Sequence, residues 1–207
     1  MTKPLELRHS PVGPWPMNTY VLICPHTGQS VLFDPGADPD TLAEMLAGSR
    51  PIAILLTHTH GDHVGALEEM RQRLNVPVVA HANAQAKGFA IDQTLTDGDT
   101  FAVGHHALRV AYAPGHIDDQ ICFSIVGDHR VVVGDTIFAG GPGKTWSADG
   151  FRTTLQTLQN VVLPWPDDTI CYPGHGPHFR LGDIRAQVEA FVQKEHGEFC
   201  GDAEWSM

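Results

Sequence analysis

Lysine is scarce in this chain of 207 residues: only four of its 13 basic residues are lysines, and they face 24 acidic ones. The formal net charge is −11. A protein that binds a nucleic-acid backbone needs a basic surface, so this balance predicts no nucleic-acid partner.

Long apolar runs are absent as well. No stretch of about 18 apolar residues occurs, so the sequence predicts no membrane span. Residues 1–15 lack the apolar core of a secretory signal. We therefore expect a cytoplasmic protein with no membrane partner, and the 42% hydrophobic and 18% charged content predicts a folded globular chain.

The cysteines are few, widely spaced and never arranged as CxxC. This spacing favours neither a zinc ribbon nor a thioredoxin-type site. Free thiols in a reducing compartment are the expectation for all four: Cys24, Cys122, Cys171 and Cys200.

Short β-type segments alternate with segments of helical periodicity along the whole chain. Hairpins are predicted where residues 19–24 meet 30–34 and where 120–126 meet 130–133. Helices are predicted over residues 39–47, 65–74, 153–161 and 184–196. No linker interrupts the pattern, so we expect an α/β fold in one domain spanning residues 1–207, with helices outside two sheets.

The segment His58-Thr59-His60-Gly61-Asp62-His63 holds four metal-capable side chains directly after the apolar run 52–56. Neutral imidazole and carboxylate suit zinc and iron-group ions. In an extended chain His58 and His60 lie on the same side and can share one ion. Gly61 permits a sharp turn, so Asp62 and His63 can serve a second ion.

Three further candidate ligands each follow a Gly or Pro: His116 in APGH, Asp135 in VGDT and His175 in YPGHG. Taken alone, Asp135 fits an ordinary turn residue and His175 a polar loop residue equally well. The remaining histidines, His105 and His106 included, are expected to be surface or hydrogen-bonded residues.

The ordered set HTHGDH, PGH, GDT and PGHG resembles the metallo-β-lactamase superfamily, and most nearly its glyoxalase II-like branch of thioester hydrolases. This resemblance implies an αββα sandwich of two mixed sheets flanked by helices. It further implies two divalent ions, with zinc favoured and iron or manganese as alternatives. The implied ligands are His58, His60 and His116 for one ion, Asp62, His63 and His175 for the other, and Asp135 shared by both.

The implied chemistry is hydrolysis of a small thioester or ester by a metal-activated hydroxide, with hydroxyacylglutathione as a candidate substrate. Asp62 could also relay a proton to the leaving group. Asp34, which ends LFDPG, resembles a family position near the site, although a turn-forming aspartate explains it equally well.

A substrate contact is implied by the stretch that follows Gly140–Gly143, where Lys144 and Trp146 match a Gly-Lys-x-aromatic pattern of glyoxalase II proteins. Pro177 departs from that pattern, because an aromatic residue is expected there. We also expect no long helical C-terminal substrate domain. Two alternatives stay open: an iron-dependent persulfide dioxygenase, whose arginine and Asp-Phe are replaced here by Lys144-Thr145-Trp146, and a lactonase.

Overall fold

The computed structural model describes residues 3–207; Met1 and Thr2, the start of the segment without a secretory signal, lie outside it. The strands are β1 Glu6–Val12, β2 Met17–Ile23, β3 Gln29–Phe33, β4 Arg50–Leu55, β5 Val78–His81, β6 Gln93–Leu95, β7 Thr100–Val103, β8 His106–Tyr112, β9 Ile121–Ile125, β10 Arg130–Gly134, β11 Ile170–Pro173 and β12 Phe179–Arg180. The helices are α1 Pro39–Met45, α2 Gly61–Val64, α3 Leu67–Leu74, α4 Ala82–Ala86, α5 Ala148–Thr157 and α6 Leu181–Val192, and α5 continues into a π-helical turn, Leu158–Val162.

The strands form two six-stranded sheets, ordered β1-β2-β3-β4-β5-β6 and β12-β11-β10-β9-β8-β7. In the first sheet β1, β2 and β3 are antiparallel, whereas β3 to β6 run parallel. In the second sheet only the β10–β11 pair is parallel. Both sheets are therefore mixed, as the resemblance predicted.

The two sheets pack face to face around an apolar layer that contains Phe33 and Phe123, whose rings meet edge to face at 5.2 Å. Successive residues of β4 point to opposite faces: Leu55 belongs to this inner layer, and Ile54 packs under the helices. Because both faces of the sheet are covered, β4 reads as a continuous apolar run rather than an alternating one.

Helices cover the outer face of each sheet. Leu42 of α1 and Met70 of α3 are buried against the first sheet. Phe151 of α5 and Phe191 of α6 are buried against the second, together with Trp205 from the C-terminal segment. The order helix, sheet, sheet, helix confirms the αββα sandwich.

The hairpins are confirmed, but several helix bounds differ from the predicted ones. The helix predicted over 65–74 begins two residues later, as α3, and the short helix α2 that precedes it was not predicted. Helix α5 begins at Ala148 because the Ser147 side chain accepts a hydrogen bond from the Gly150 N–H. Among the described residues, no helix has both the length and the apolar character needed to cross a bilayer.

Candidate metal centre

Seven side chains with metal-binding chemistry meet at one edge of the sandwich because each follows the end of a strand. The loop after β4 carries His58 and His60 into α2, which carries Asp62 and His63. In the second sheet, His116 lies beyond β8, and Asp135 and His175 follow β10 and β11. Strand ends from both sheets therefore deliver residues that are up to 117 positions apart in sequence, counting from His58 to His175.

One group consists of His58, His60 and His116. Their candidate ligand atoms all lie within 4.8 Å of one another. The rings of His60 and His116 are 4.4 Å apart and nearly perpendicular, and those of His58 and His116 are 5.1 Å apart. Three imidazoles thus surround a single point.

A second group consists of Asp62, His63 and His175, whose ligand atoms also lie within 4.8 Å of one another. Nε2 of His175 is 3.0 Å from Oδ2 of Asp62. The two groups are adjacent, since the rings of His58 and His63 are 4.0 Å apart.

Asp135 lies between the groups and reaches both. Its Oδ1 is 3.4 Å from Nε2 of His63, and its Oδ2 is 3.6 Å from Nε2 of His116 and 3.7 Å from Nε2 of His175. The side chain is buried, so its charge faces the histidines rather than solvent. The structure thus brings together all seven residues that the sequence singled out as ligands.

The donor set fits metal ions. Among the described residues, seven buried side-chain atoms have no hydrogen-bond partner, and four of them belong to this cluster: Nε2 of His58, His63 and His116, and Oδ1 of Asp135. Burying unpaired polar atoms is costly, and such atoms are concentrated here, facing one another. Imidazole nitrogens with a shared carboxylate are the ligands that zinc and iron accept.

Hydrogen bonds at the outer nitrogens fix the tautomers. The Nδ1 of His116 lies 2.7 Å from the Lys144 carbonyl, and that of His175 lies 3.2 Å from the Pro16 carbonyl. A carbonyl oxygen only accepts, so each Nδ1 must carry the hydrogen. The Nε2 lone pair is then free to face the centre.

Asp34 performs the same task for His63. Its Oδ2 is 3.0 Å from His63 Nδ1, and the carboxylate also accepts hydrogen bonds from the Thr57 backbone N–H at 2.7 Å and from the Thr57 hydroxyl at 2.6 Å. Since that hydroxyl donates to Asp34, it can accept from His58 Nδ1 at 3.1 Å. Asp34 is buried and orients two histidines, which favours the site role over the turn role.

Thr59, between His58 and His60, is also fixed by a hydrogen bond to a buried side chain. Its hydroxyl donates to Oδ2 of Asp119 at 2.5 Å, and Oδ1 of the same buried carboxylate is 3.0 Å from the Lys87 ammonium. Thr57, Thr59 and Asp119 were not predicted as site residues from the sequence. Only their position beside the histidine motifs could have pointed to them.

The environment sets the protonation of the ligands in the metal-free protein. Burial lowers the pKa of His58 well below its usual value and that of His60 to about 4. Burial opposes protonation of His63 as well, but Asp135 and Asp34 outweigh it and raise its pKa to about 10. The hydrogen bond with His175 lowers the pKa of Asp62 to about 2, so this carboxylate is ionised.

Two glycines allow the strand ends to approach so closely. A Cβ on Gly174 would overlap Oδ1 of Asp135 and the ring of His63. A Cβ on Gly143 would overlap the Asp135 carbonyl and crowd the ring of His116. Glycine at these two positions is therefore a requirement of the centre and not only of the turns.

A cavity of about 640 Å³ opens beside the centre, touching His116, Asp135 and His175. Lys144 lines it, as does Pro177. Trp146 does not line this cavity; the residue is 69% exposed and its ring lies 6.4 Å from that of His60. The Lys144 ammonium is 5.1 Å from the centre of the Trp146 ring.

An αββα sandwich with an imidazole and carboxylate cluster at its sheet edge has the architecture of a metal-dependent enzyme. Residues 12–175 match the family model of the Metallo-beta-lactamase superfamily. The chain belongs to that superfamily.

The chain is similar to two kinds of curated relative. A "Probable metallo-hydrolase YqgX" from Bacillus subtilis (strain 168) is 32% identical over 196 residues, which cover 84% of this chain and 91% of that protein. A hydroxyacylglutathione hydrolase from Nitrosococcus oceani is 33% identical over 159 residues, which cover 75% of this chain and 60% of that protein. A Rhizobium meliloti protein of the same name is 34% identical over 122 residues, which cover 59% of this chain and 47% of that protein. The chain thus spans about half to 60% of these two hydroxyacylglutathione hydrolases.

Solved structures show the same architecture. BLEG-1 B3 metallo-beta-lactamase superposes with a TM-score of 0.78 at 28% identity, over 87% of this chain and 97% of that one. ETHE1 from Myxococcus xanthus superposes with a TM-score of 0.77 at 26% identity, over 87% of this chain and 81% of that one. TTHA1623 in a di-iron-bound form superposes with a TM-score of 0.72 at 29% identity, over 86% of this chain and 96% of that one.

Proposed function

We propose that this protein hydrolyses a small thioester or ester with two divalent ions, and that hydroxyacylglutathione is a candidate substrate. The observation that carries the proposal is the position of Asp135 between two groups of three ligands, which permits one carboxylate to serve both ions. The relatives named hydroxyacylglutathione hydrolase support the thioester class. Zinc is favoured, and the di-iron form of TTHA1623 keeps iron as an alternative.

His58, His60 and His116 would hold the first ion and Asp62, His63 and His175 the second. Such a pair supplies an activated water at neutral pH and polarises the carbonyl under attack. The chain provides what that chemistry needs around it: Nδ1 hydrogen bonds that aim the imidazoles, and a buried Asp135. Asp62, whose side chain is one-third exposed, is further proposed to relay a proton to the leaving group.

Lys144 and Trp146 are proposed to contact the substrate. Lys144 lines the cavity beside His116, and its carbonyl orients that histidine independently of its side chain. Lys144→Ala should therefore leave metal binding intact and raise KM more for a glutathione thioester than for an uncharged ester. Equal changes for both substrates would contradict an anion-binding role.

The test of the function is elemental analysis of the purified protein, followed by turnover of a thioester panel that includes S-D-lactoylglutathione. We expect two ions per chain and chelator-sensitive hydrolysis. A protein that holds two ions and cleaves no thioester or ester would contradict the proposal. A lactone in the same panel tests the lactonase alternative.

A second candidate is an iron-dependent persulfide dioxygenase, which the similarity to ETHE1 supports. Oxygen consumption with glutathione persulfide separates it from the hydrolase. We expect none, because Lys144-Thr145-Trp146 stands where the arginine and Asp-Phe of the dioxygenase family are expected.

A further inference from the structure

The C-terminal segment, residues 197–207, forms one wall of the cavity beside the metal centre. Asp202, Ala203 and Glu204 line the cavity together with Lys144. None of the predicted motifs includes this segment. Its contribution to the cavity comes only from the folded chain.

This wall is built into the fold. Thr145 and Gly201 exchange backbone hydrogen bonds at 3.0 and 2.9 Å. The indole N–H of Trp205 donates to the Ala139 carbonyl at 2.9 Å, and the Trp205 ring meets that of Phe191 edge to face. Asp202 lies between these two anchors, so its backbone position relative to the cavity is fixed.

The Asp202 carboxylate pairs with the Lys144 ammonium at 2.9 Å. The charged groups on this wall are thus one cation, Lys144, and two anions, Asp202 and Glu204. A carboxylate of the substrate that approaches Lys144 must share the ammonium with Asp202, which already neutralises its charge, and must also approach a wall with a net charge of −1. An uncharged group meets neither obstacle.

We propose that Asp202 is a specificity-determining residue that selects against anionic thiol carriers. The cavity then favours thioesters of uncharged thiols over those of glutathione, which carries two carboxylates and one ammonium. This inference rests on the proposed hydrolase function and narrows its substrate class.

The expected size of this change in substrate preference depends on how exposed the Lys144 and Asp202 side chains are. The side chains of Lys144 and Asp202 are 41% and 79% exposed, so solvent screens their interaction. Exposed pairs of this kind change an equilibrium about two- to fivefold. Raising the salt concentration to about 1 M, where the Debye length is about 3 Å, should remove most of this two- to fivefold effect of the ion pair.

The test compares Asp202→Asn with the unaltered protein, each loaded with metal, on S-D-lactoylglutathione and on S-lactoyl-N-acetylcysteamine, which is uncharged. The ratio of kcat/KM for the glutathione substrate to that for the uncharged one should rise about two- to fivefold. Glu198→Gln is the matched control, because Glu198 is an exposed acid of the same segment that pairs with Arg152 at 3.2 Å and does not line the cavity. An unchanged ratio in Asp202→Asn, or an equal rise in Glu198→Gln, would overturn the inference.

Binding of S-methylglutathione, which has no free thiol, provides a readout without turnover. Its affinity should rise by the same factor in Asp202→Asn, and the rise should be smaller when Lys144 is also replaced by Met. If the unaltered protein cleaves neither thioester, the hydrolase function fails, and this binding experiment still decides the role of Asp202. Equal affinities in Asp202→Asn and the unaltered protein would refute it.

Discussion

Asp34→Asn tests whether the carboxylate beneath the centre determines metal binding. The substitution preserves size but replaces Oδ2, which faces His63 Nδ1 at 3.0 Å, with either an amide nitrogen or an amide oxygen. If the oxygen stays with the Thr57 backbone N–H, the amide –NH₂ faces His63 and the Thr57 hydroxyl. The amide then donates to Nδ1, so the hydrogen that neutral His63 keeps when it gives up a proton to bind metal lies on Nε2, which is the atom that must bind metal.

The expected loss is about 10- to 100-fold in affinity for the ion held by Asp62, His63 and His175, or about 1.4–2.7 kcal/mol. The ion held by His58, His60 and His116 should be affected less, because only His58 depends on Asp34, through the Thr57 hydroxyl. The loss is thus expected to be unequal between the two ions. A purely structural role for Asp34 would weaken both alike.

The assay is titration of the metal-free protein with zinc against a competing chelator, with circular dichroism to confirm that each variant is folded. Asp128→Asn is the control, since Asp128 is a partly buried aspartate that pairs with Arg130 at the other end of β10. Two binding steps of unaltered affinity in a folded Asp34→Asn protein would refute the tautomer argument. A loss of the same size in Asp128→Asn would attribute the effect to stability.

Three further predictions concern other parts of the structure. Asp135→Ala should lower the bound metal below two ions per chain and nearly abolish hydrolysis, because it removes the carboxylate that reaches both groups; elemental analysis and turnover check this, and unchanged turnover would contradict a shared ligand. Gly174→Ala should abolish tight metal binding in a folded protein, whereas Gly61→Ala should not, because a Cβ at Gly61 meets no atom within 4 Å; chelator titration of both variants compares them. In the native protein only Cys200 should react with a thiol reagent, because the other three cysteines are buried, and all four should react after unfolding; more than one fast thiol in the native state would contradict the described packing.

The candidate ligands could be predicted from the sequence because each lies in a recognisable local sequence pattern. HTHGDH follows an apolar run, and His116, Asp135 and His175 each follow a glycine at a strand end. The apolar run before HTHGDH shows no alternation of polar and apolar residues, because β4 is covered on both faces. Helix α1 shows a further limit: Asp38 stands at the N-cap position, where an aspartate usually caps the helix, but its carboxylate accepts from the Gly13 N–H instead.

Thr59 and Asp119 could not be predicted because their role depends on partners distant in sequence: the two residues are 60 positions apart. Asp34 lies 29 positions from His63, and only the family resemblance pointed to it. Nothing near Asp202 in the sequence indicates that it will meet Lys144, 58 positions earlier.

The separation between ligands and cavity wall has a consequence for how substrate preference can change in this fold. The seven candidate ligands are fixed by strand ends and by buried partners, so altering any of them disturbs the metal centre itself. Asp202 and Lys144 contact the cavity from the C-terminal segment and a glycine-rich loop, and both side chains are substantially exposed. Replacing Asp202 therefore leaves the hydrogen bonds of the ligands intact. We therefore expect substrate charge preference to vary at Asp202 with little change in metal affinity, and measuring both quantities in Asp202→Asn tests that independence directly.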